Sequence, residues 1–232
     1  TDMDGTLTIA GQFTSELLRS FERLTSAGIQ ILIVTGRSAG WVNGLANYLP
    51  IQGAIAENGG LFYTKNEQIL LTPISDLKQH RQKLSEMFVL LKTQFPQIQE
   101  SSDNVFRLTD WTFDVFGLSV PELEQMSFLC QAQGWNFTYS NVQCHILPAN
   151  QNKAIALLKI LKTHFPTYSL EQVLTVGDSP NDESLFDPTH FPTSVGVANL
   201  RHYESQLAHL PTYITQSPEG SGFSELTTHL LS

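Results

Sequence analysis

The chain predicts an α/β fold: a doubly wound parallel sheet interrupted by an inserted α+β module. Three observations carry that reading. The first third alternates amphipathic helical segments with short apolar runs, of which residues 29–34 are the clearest. Apolar runs without polar alternation suit parallel strands covered on both faces, and a helix–strand rhythm implies parallel pairing. The middle instead sets strand next to strand around two helices, the pattern of an antiparallel sheet with helices on one side. The last third returns to the first rhythm. We therefore expect a core built from residues 1–72 and 148–232, with a separate module at 73–147.

Each element has a local reason. Thr14 suits an N-cap for a helix with Leu17, Leu18, Phe21 and Leu24 on one face, ended by Gly28. Ser38 is expected to cap the next helix, with Trp41, Val42, Leu45 and Leu49 inward, before a short strand at 53–56. Residues 57–60 read as a polar turn, followed by strand-like pieces at 61–63 and 68–71. A helix over 76–95 stops before Pro96, and strands are expected at 105–108 and 112–117. Pro121 opens a helix that Gly134 closes, following the Pro-first, Gly-last asymmetry. Strands follow at 135–139 and 142–147, then a helix over 153–165 with Ile155, Leu158 and Leu161 inward. A strand at 173–176, a helix at 182–186, a strand at 194–198 and a final helix from about 221 complete the chain.

With 41% hydrophobic and 15% charged residues over 232 positions, the chain can bury a substantial core. A net charge of −9 argues against a nucleic-acid partner, which calls for a basic footprint. Cys130 and Cys144 form neither a metal spacing nor a disulfide framework; we expect buried thiols in a reducing, cytoplasmic setting. We expect neither a membrane span nor a secretory leader, and the residues give no guide to oligomeric state. A strand ending at Asp2 needs several apolar residues before it, so a short natural N-terminus is expected to be missing from the chain as given.

The polar clusters fall at the ends of predicted strands, where open α/β sheets bind ligands. Asp2 and Asp4 flank Met3 and precede a Gly-Thr turn, so two carboxyls can reach one site. A nucleophilic carboxylate with a second carboxyl as acid/base can take a phosphoryl group and release it to water. Thr35-Gly36-Arg37-Ser38 ends a buried strand and opens a helix, a ready anion site. Lys153 sits at a helix start, against the helix dipole, and needs a negative partner. Asp178 and Asp182 bracket a tight turn at Gly177-Asp178-Ser179-Pro180-Asn181-Asp182 and can face one cation; hard oxygen ligands suit magnesium. A phosphate dianion approaching Asp2 meets like-charge repulsion, which a divalent ion with Lys153 offsets.

Asp-Met-Asp-Gly-Thr, Thr-Gly-Arg, Lys153 and Gly-Asp-Ser-Pro-Asn-Asp together resemble the haloacid dehalogenase-like phosphohydrolase superfamily. The insert after Glu57-Asn58-Gly59-Gly60 resembles the branch with an α/β cap after the third core strand, which includes sugar and mannosyl-3-phosphoglycerate phosphatases. That resemblance implies a Rossmann-like core, a substrate-selecting cap and a Mg2+-dependent phosphatase acting on a small phosphorylated sugar or glycosyl-glycerate. It implies Asp2 as nucleophile and Asp4 as acid/base, with Thr35, Gly36, Lys153 and Asn181 binding phosphate. Asp2, Asp4 (through its carbonyl), Asp178 and Asp182 would hold the metal. Arg107 and His145, with Asn58 and Gly59 of the 57–60 loop, are candidates for substrate contact. Trp111 and Trp135 have faces that can stack on a sugar, but core packing is the stronger expectation for both. The alternatives are a phosphotransferase or phosphomutase of the same fold, or a non-catalytic sugar-phosphate-binding module.

Overall fold

A computed structural model describes all 232 residues. The core strands are β1 (Leu32–Val34), β2 (Gly53–Ala56), β3 (Leu61–Tyr63), β4 (Gln68–Leu70), β8 (Leu174–Gly177), β9 (Thr193–Gly196) and β10 (Tyr213–Ile214). One sheet runs β1-β2-β3-β4 and another β10-β9-β8. β1 and β2 are parallel, as are β8, β9 and β10, while β3 and β4 add an antiparallel hairpin at the edge. Residues Thr1 and Asp2 join the two sheets: Asp2 N–H donates to the Val176 carbonyl and Val34 N–H to the Thr1 carbonyl, both at 2.8 Å. This brings the ends of β1 and β8 beside Asp2, at the centre of one layer. An apolar cavity of about 360 Å³ lies behind Thr1, lined by Leu32, Leu174, Leu157 and Phe223 among others.

The two faces of the layer have separate apolar clusters, and β2 shows why its run is unbroken. Ala54 and Ala56 face the cluster of Leu17, Phe21, Val42 and Val176, whereas Ile55 faces that of Val34, Phe62, Leu157 and Leu185. Helices α1 (Ser15–Ser26) and α7 (Glu219–Leu230) pack together on the first face, with Phe21 edge-on to Phe223 at 5.9 Å. Helices α5 (Lys153–His164) and α6 (Glu183–Phe186) contribute to the second. Thr14 caps α1 as expected, accepting from Leu17 N–H at 3.2 Å.

The insert carries β5 (Trp111–Asp114), β6 (Trp135–Tyr139) and β7 (Gln143–Pro148) in antiparallel order β5-β7-β6, with α3 (Leu77–Gln94) and α4 (Val120–Ala132). Its cluster includes Leu84, Phe88, Phe113, Met126, Phe137, Cys144 and Ile146. On β7, Cys144 and Ile146 enter that cluster while His145, between them, turns to the opposite face, as the two-residue strand period requires. Cys130 and Cys144 are both free and buried. No helix is long and apolar enough to cross a membrane.

Several expectations are corrected. Residues 105–108 are not a strand; Ser102–Phe106 form a 3-10 helix whose turn aims Arg107 inward. Leu18 and Ile155 are exposed, because the buried stripe of α1 follows Leu17, Phe21 and Leu24, and that of α5 follows Lys153, Ala154, Leu157 and Ile160. Trp41 is exposed on α2 (Ala39–Tyr48), with the Arg37 guanidinium 4.7 Å over its ring. Ser38 occupies the N-cap of α2, but its hydroxyl makes no capping bond; the Glu57 carboxylate accepts from Ala39 N–H at 2.9 Å instead. The Phe21→Ala variant should lose about 3–5 kcal/mol of stability through the cavity it leaves, measured as a lower urea midpoint with unchanged slope.

Candidate active site

Asp2, Thr35 and Asp178 each lie just beyond or beside a central strand end, and α5 opens facing them. Lys153, the first residue of α5, is fully buried and its Nζ sits 2.6 Å from both Asp2 Oδ1 and Asp182 Oδ1. Burial alone would pull that ammonium down, but Asp182 and Asp2 hold it above its ordinary range. Asp2 is in turn pushed up to about 7, by burial first and by Asp182 next, with Lys153 opposing. Asp178 is raised well above the usual carboxylate range by burial, then by Asp2 and Asp182.

Ligand oxygens of Asp2, Asp178 and Asp182 lie within 4.8 Å of one another, all buried. Three carboxylates face one ammonium, so two negative charges lack a counter-charge, and the all-oxygen donor set fits a hard dication. The members are not equivalent. Asp182 is heavily engaged: Oδ1 takes Lys153, and Oδ2 accepts from the amides of Asp178 and Ser179 at 3.0 and 3.3 Å. Asp178 is aimed by the Thr6 hydroxyl at 3.1 Å and by Asn199 Nδ2 at 2.9 Å. Asp2 Oδ2 has no protein hydrogen bond. The Asp4 side chain stands outside this trio because it forks with Arg37: Nε to Oδ2 at 2.8 Å and Nη2 to Oδ1 at 2.6 Å.

Asp2, Asp4, Thr35, Gly36, Arg37 and Asn181 line one side of a common cavity. Ser140, Val142, Gln143 and His145 of the insert close the other side, leaving about 10 Å³, room for roughly one water molecule. Asn181 Nδ2 donates to Asn58 Oδ1 at 3.2 Å, and Asn58 N–H to the Thr35 carbonyl at 3.0 Å. Gly36 is closely packed: a Cβ there would crowd His145 Cε1 and Nε2 at 3.0 and 3.1 Å and Asn58 Nδ2 at 3.2 Å. Gly59 is turned away, against the Asn152 carbonyl, which a Cβ would strike at 2.4 Å.

Arg107 is a correction. It is buried, and its donors are taken by Asp103, Asp110, Gln143 and the Gly36 carbonyl, leaving none for a second anion of a substrate. Its role is to tie the insert to the loop carrying Gly36. Glu57 ties the same parts, accepting from Leu108 and Thr109 amides and the Thr109 hydroxyl while it caps α2. His145 Nδ1 bonds Asp110 Oδ2 at 2.9 Å; burial keeps the imidazole pKa below its ordinary value against that carboxylate's pull. Trp111 and Trp135 pack against the insert's apolar cluster, Trp111 under the Arg81 guanidinium and Trp135 beside His80, so both serve packing. Sequence reasoning gave no role to Arg37 or Asn199. Asn199 follows β9, and a polar residue past another strand end is the signal that marks it; nothing local marks Arg37 as the partner of an aspartate 33 positions away.

The fold is thus a doubly wound sheet with these carboxylates at its strand ends, roofed by an insert. The family model for haloacid dehalogenase-like hydrolases matches residues 1–110 and 121–225, and the chain belongs to that family. Phosphoglycolate phosphatase 1 of Saccharolobus solfataricus is 26% identical, over 99% of this chain and 93% of the relative. Phosphoglycolate phosphatase of Methanothermobacter thermautotrophicus is 25% identical, over 97% and 94%. Among solved structures, sucrose-phosphatase from Synechocystis superposes with a TM-score of 0.70 at 19% identity, covering 98% of this chain and 95% of that one. The chain is a hydrolase of that family.

Two expectations follow from the buried charges. Arg107→Ala strands Asp103 and Asp110 without their counter-charge and should destabilise by about 3–5 kcal/mol in urea, whereas loss of an exposed arginine would shift the midpoint little. The second concerns pH. Asp2 rises from 3.8 to about 7 on folding, so across that window the folded chain keeps a proton that the unfolded chain has released. In chelator, the thermal midpoint should therefore fall as pH rises from about 4 to about 7. Added Mg2+ should raise it at pH 8 and do little at pH 5; equal shifts at both would contradict a carboxylate site.

Proposed function

We propose that this chain is a magnesium-dependent phosphomonoesterase that works through an aspartyl-phosphate on Asp2. The observation that carries the reading is a buried carboxylate with one oxygen fixed by Lys153 and the other free at a cavity shared with Thr35, Gly36 and Asn181. Mg2+, held by Asp2, Asp178 and the Asp4 carbonyl with Asp182 behind them, would neutralise phosphoryl charge and let Asp2 stay ionised.

The residues then divide the work. Asp2 Oδ2 attacks phosphorus and the ester oxygen leaves with its electron pair, taking a proton from Asp4. Water next attacks the same phosphorus, Asp4 accepts its proton, and the Asp2–phosphorus bond breaks to release phosphate. Arg37 takes both Asp4 oxygens in a two-point fork, which a lysine would not reproduce, and the fork opens for Asp4 to give or accept a proton. Lys153, the Thr35 hydroxyl and the Gly36 amide bind phosphoryl oxygens, and Asn181 orients them.

We take residues 73–147 as the specificity cap. The phosphoglycolate phosphatases among the relatives favour a short phosphorylated acid or sugar over a glycosyl-glycerate phosphate. The free buried thiols support a cytoplasmic setting. Asp2→Asn should lower phosphate release by about 10³-fold or more while circular dichroism stays near wild type, and excess chelator should stop wild-type turnover reversibly. Undiminished turnover by the variant would place the nucleophile elsewhere.

A further inference from the structure

Arg37 is the one lysine or arginine among the residues that line the cavity with Asp2 and Asp4. The two buried cations nearby are spent: Lys153 on Asp2 and Asp182, Arg107 on Asp103, Asp110, Gln143 and the Gly36 carbonyl. Arg37 is not spent. Asp4 takes only the side-on edge of its guanidinium, Nε–H and a hydrogen of Nη2. The end-on edge keeps a parallel pair of N–H groups, the other hydrogen of Nη2 and one of Nη1. Nη1 is neither hydrogen-bonded nor enclosed, and the side chain remains 19% exposed. Asp4 on one edge and the Trp41 ring against one face fix the plane of the group. Asp103 is the other carboxylate that acts on Arg37, and Arg107 already forks it.

We propose that the free edge of Arg37 holds a carboxylate carried by the alcohol part of the substrate, so that the enzyme prefers short phosphorylated acids to uncharged phosphate esters. This rests on the phosphatase reading above. A guanidinium edge and a carboxylate match in two parallel charge-assisted bonds, whereas a sugar hydroxyl offers a single weaker one. Arg37 shares its charge with Asp4, so a singly charged carboxylate suits it better than a second phosphoryl dianion, which would meet Asp4 more strongly. The surroundings make the contact selective. Asp2, Asp4, Asp178 and Asp182 repel a second anion, so a carboxylate is accommodated only where Arg37 receives it. When Asp4 leaves the fork, as the reaction requires, a carboxylate on the neighbouring edge keeps the guanidinium paired.

The probes are a matched pair, 2-phosphoglycolate and its uncharged counterpart 2-hydroxyethyl phosphate, with p-nitrophenyl phosphate as a generic ester, all with Mg2+. Wild type should prefer the acid by about tenfold or more in kcat/KM, the reverse of what the carboxylates alone would give. Arg37→Gln should erase that preference, and Arg37→Lys, which keeps a point charge without the fork, should retain part of it. Because Arg37 also holds Asp4, both variants are expected to turn over more slowly, so binding is read separately by calorimetry on Asp2→Asn. Adding Arg37→Gln to that protein should weaken phosphoglycolate at least about tenfold more than hydroxyethyl phosphate. Equal wild-type rates on the pair, a faster neutral ester, or no turnover of either while the aryl ester is hydrolysed would overturn the carboxylate site and leave the phosphatase reading intact. A preference that Arg37→Gln leaves whole, judged by binding where the variant does not turn over and by Arg37→Lys where it does not fold, puts the carboxylate on the metal and overturns the site as well. No release from any of the three esters overturns the function and the carboxylate site together.

Discussion

The ammonium of Lys153 between Asp2 and Asp182 is the interaction on which the rest depends. It is fully buried, and a buried ammonium persists only when paired and hydrogen-bonded. Its two carboxylates come from the segment between β1 and β8 and from the turn after β8, so one side chain draws together parts 151 and 29 residues away. The same contact fixes one oxygen of Asp2 and frees the other. It also rotates α5, since the helix must bury its first residue, and this is why Ile155 falls outside. The excess of carboxylates over cations is a standing electrostatic strain, which adds to burial in holding the Asp2 and Asp178 pKa values above their ordinary range.

Closure over this centre is also ionic. Arg107 is buried among Asp103 and Asp110 and reaches across to the Gly36 carbonyl; Glu57 reaches the other way, from the core to the backbone at 108 and 109. Charged groups out of water bind strongly only in good geometry, so such contacts favour one docked arrangement over many loose ones. The Tyr139 hydroxyl, bonded to Gln206, adds a third point on the far side of the cavity. Substrate entry has to break this set and re-form it.

Much of the fold was legible because its signals are local. Thr14, the apolar run before Thr35, and the Pro121-to-Gly134 frame of α4 each declare an element from a few neighbouring residues. The residues gathered at the candidate site were legible for a different reason: polar clusters at the ends of apolar strands have few structural explanations. What failed depends on distant partners. Residues 105–108 have strand-like composition, yet the neighbouring Asn104 and Arg107 are claimed by Thr112, Asp110, Gln143 and Gly36, and those bonds wind the segment into a 3-10 turn. Trp41 looks apolar and inward by periodicity, but a guanidinium lies on its face. Tertiary partners outweigh local preference at both places.

β7 places its packing residues and its cavity-lining residues on alternate positions. Cys144 and Ile146 belong to the insert's interior, while Gln143 and His145 line the cavity above Asp2. The same six residues thus build the roof's interior and its underside without overlap, so a change at His145 alters the ceiling of the cavity without entering the apolar cluster.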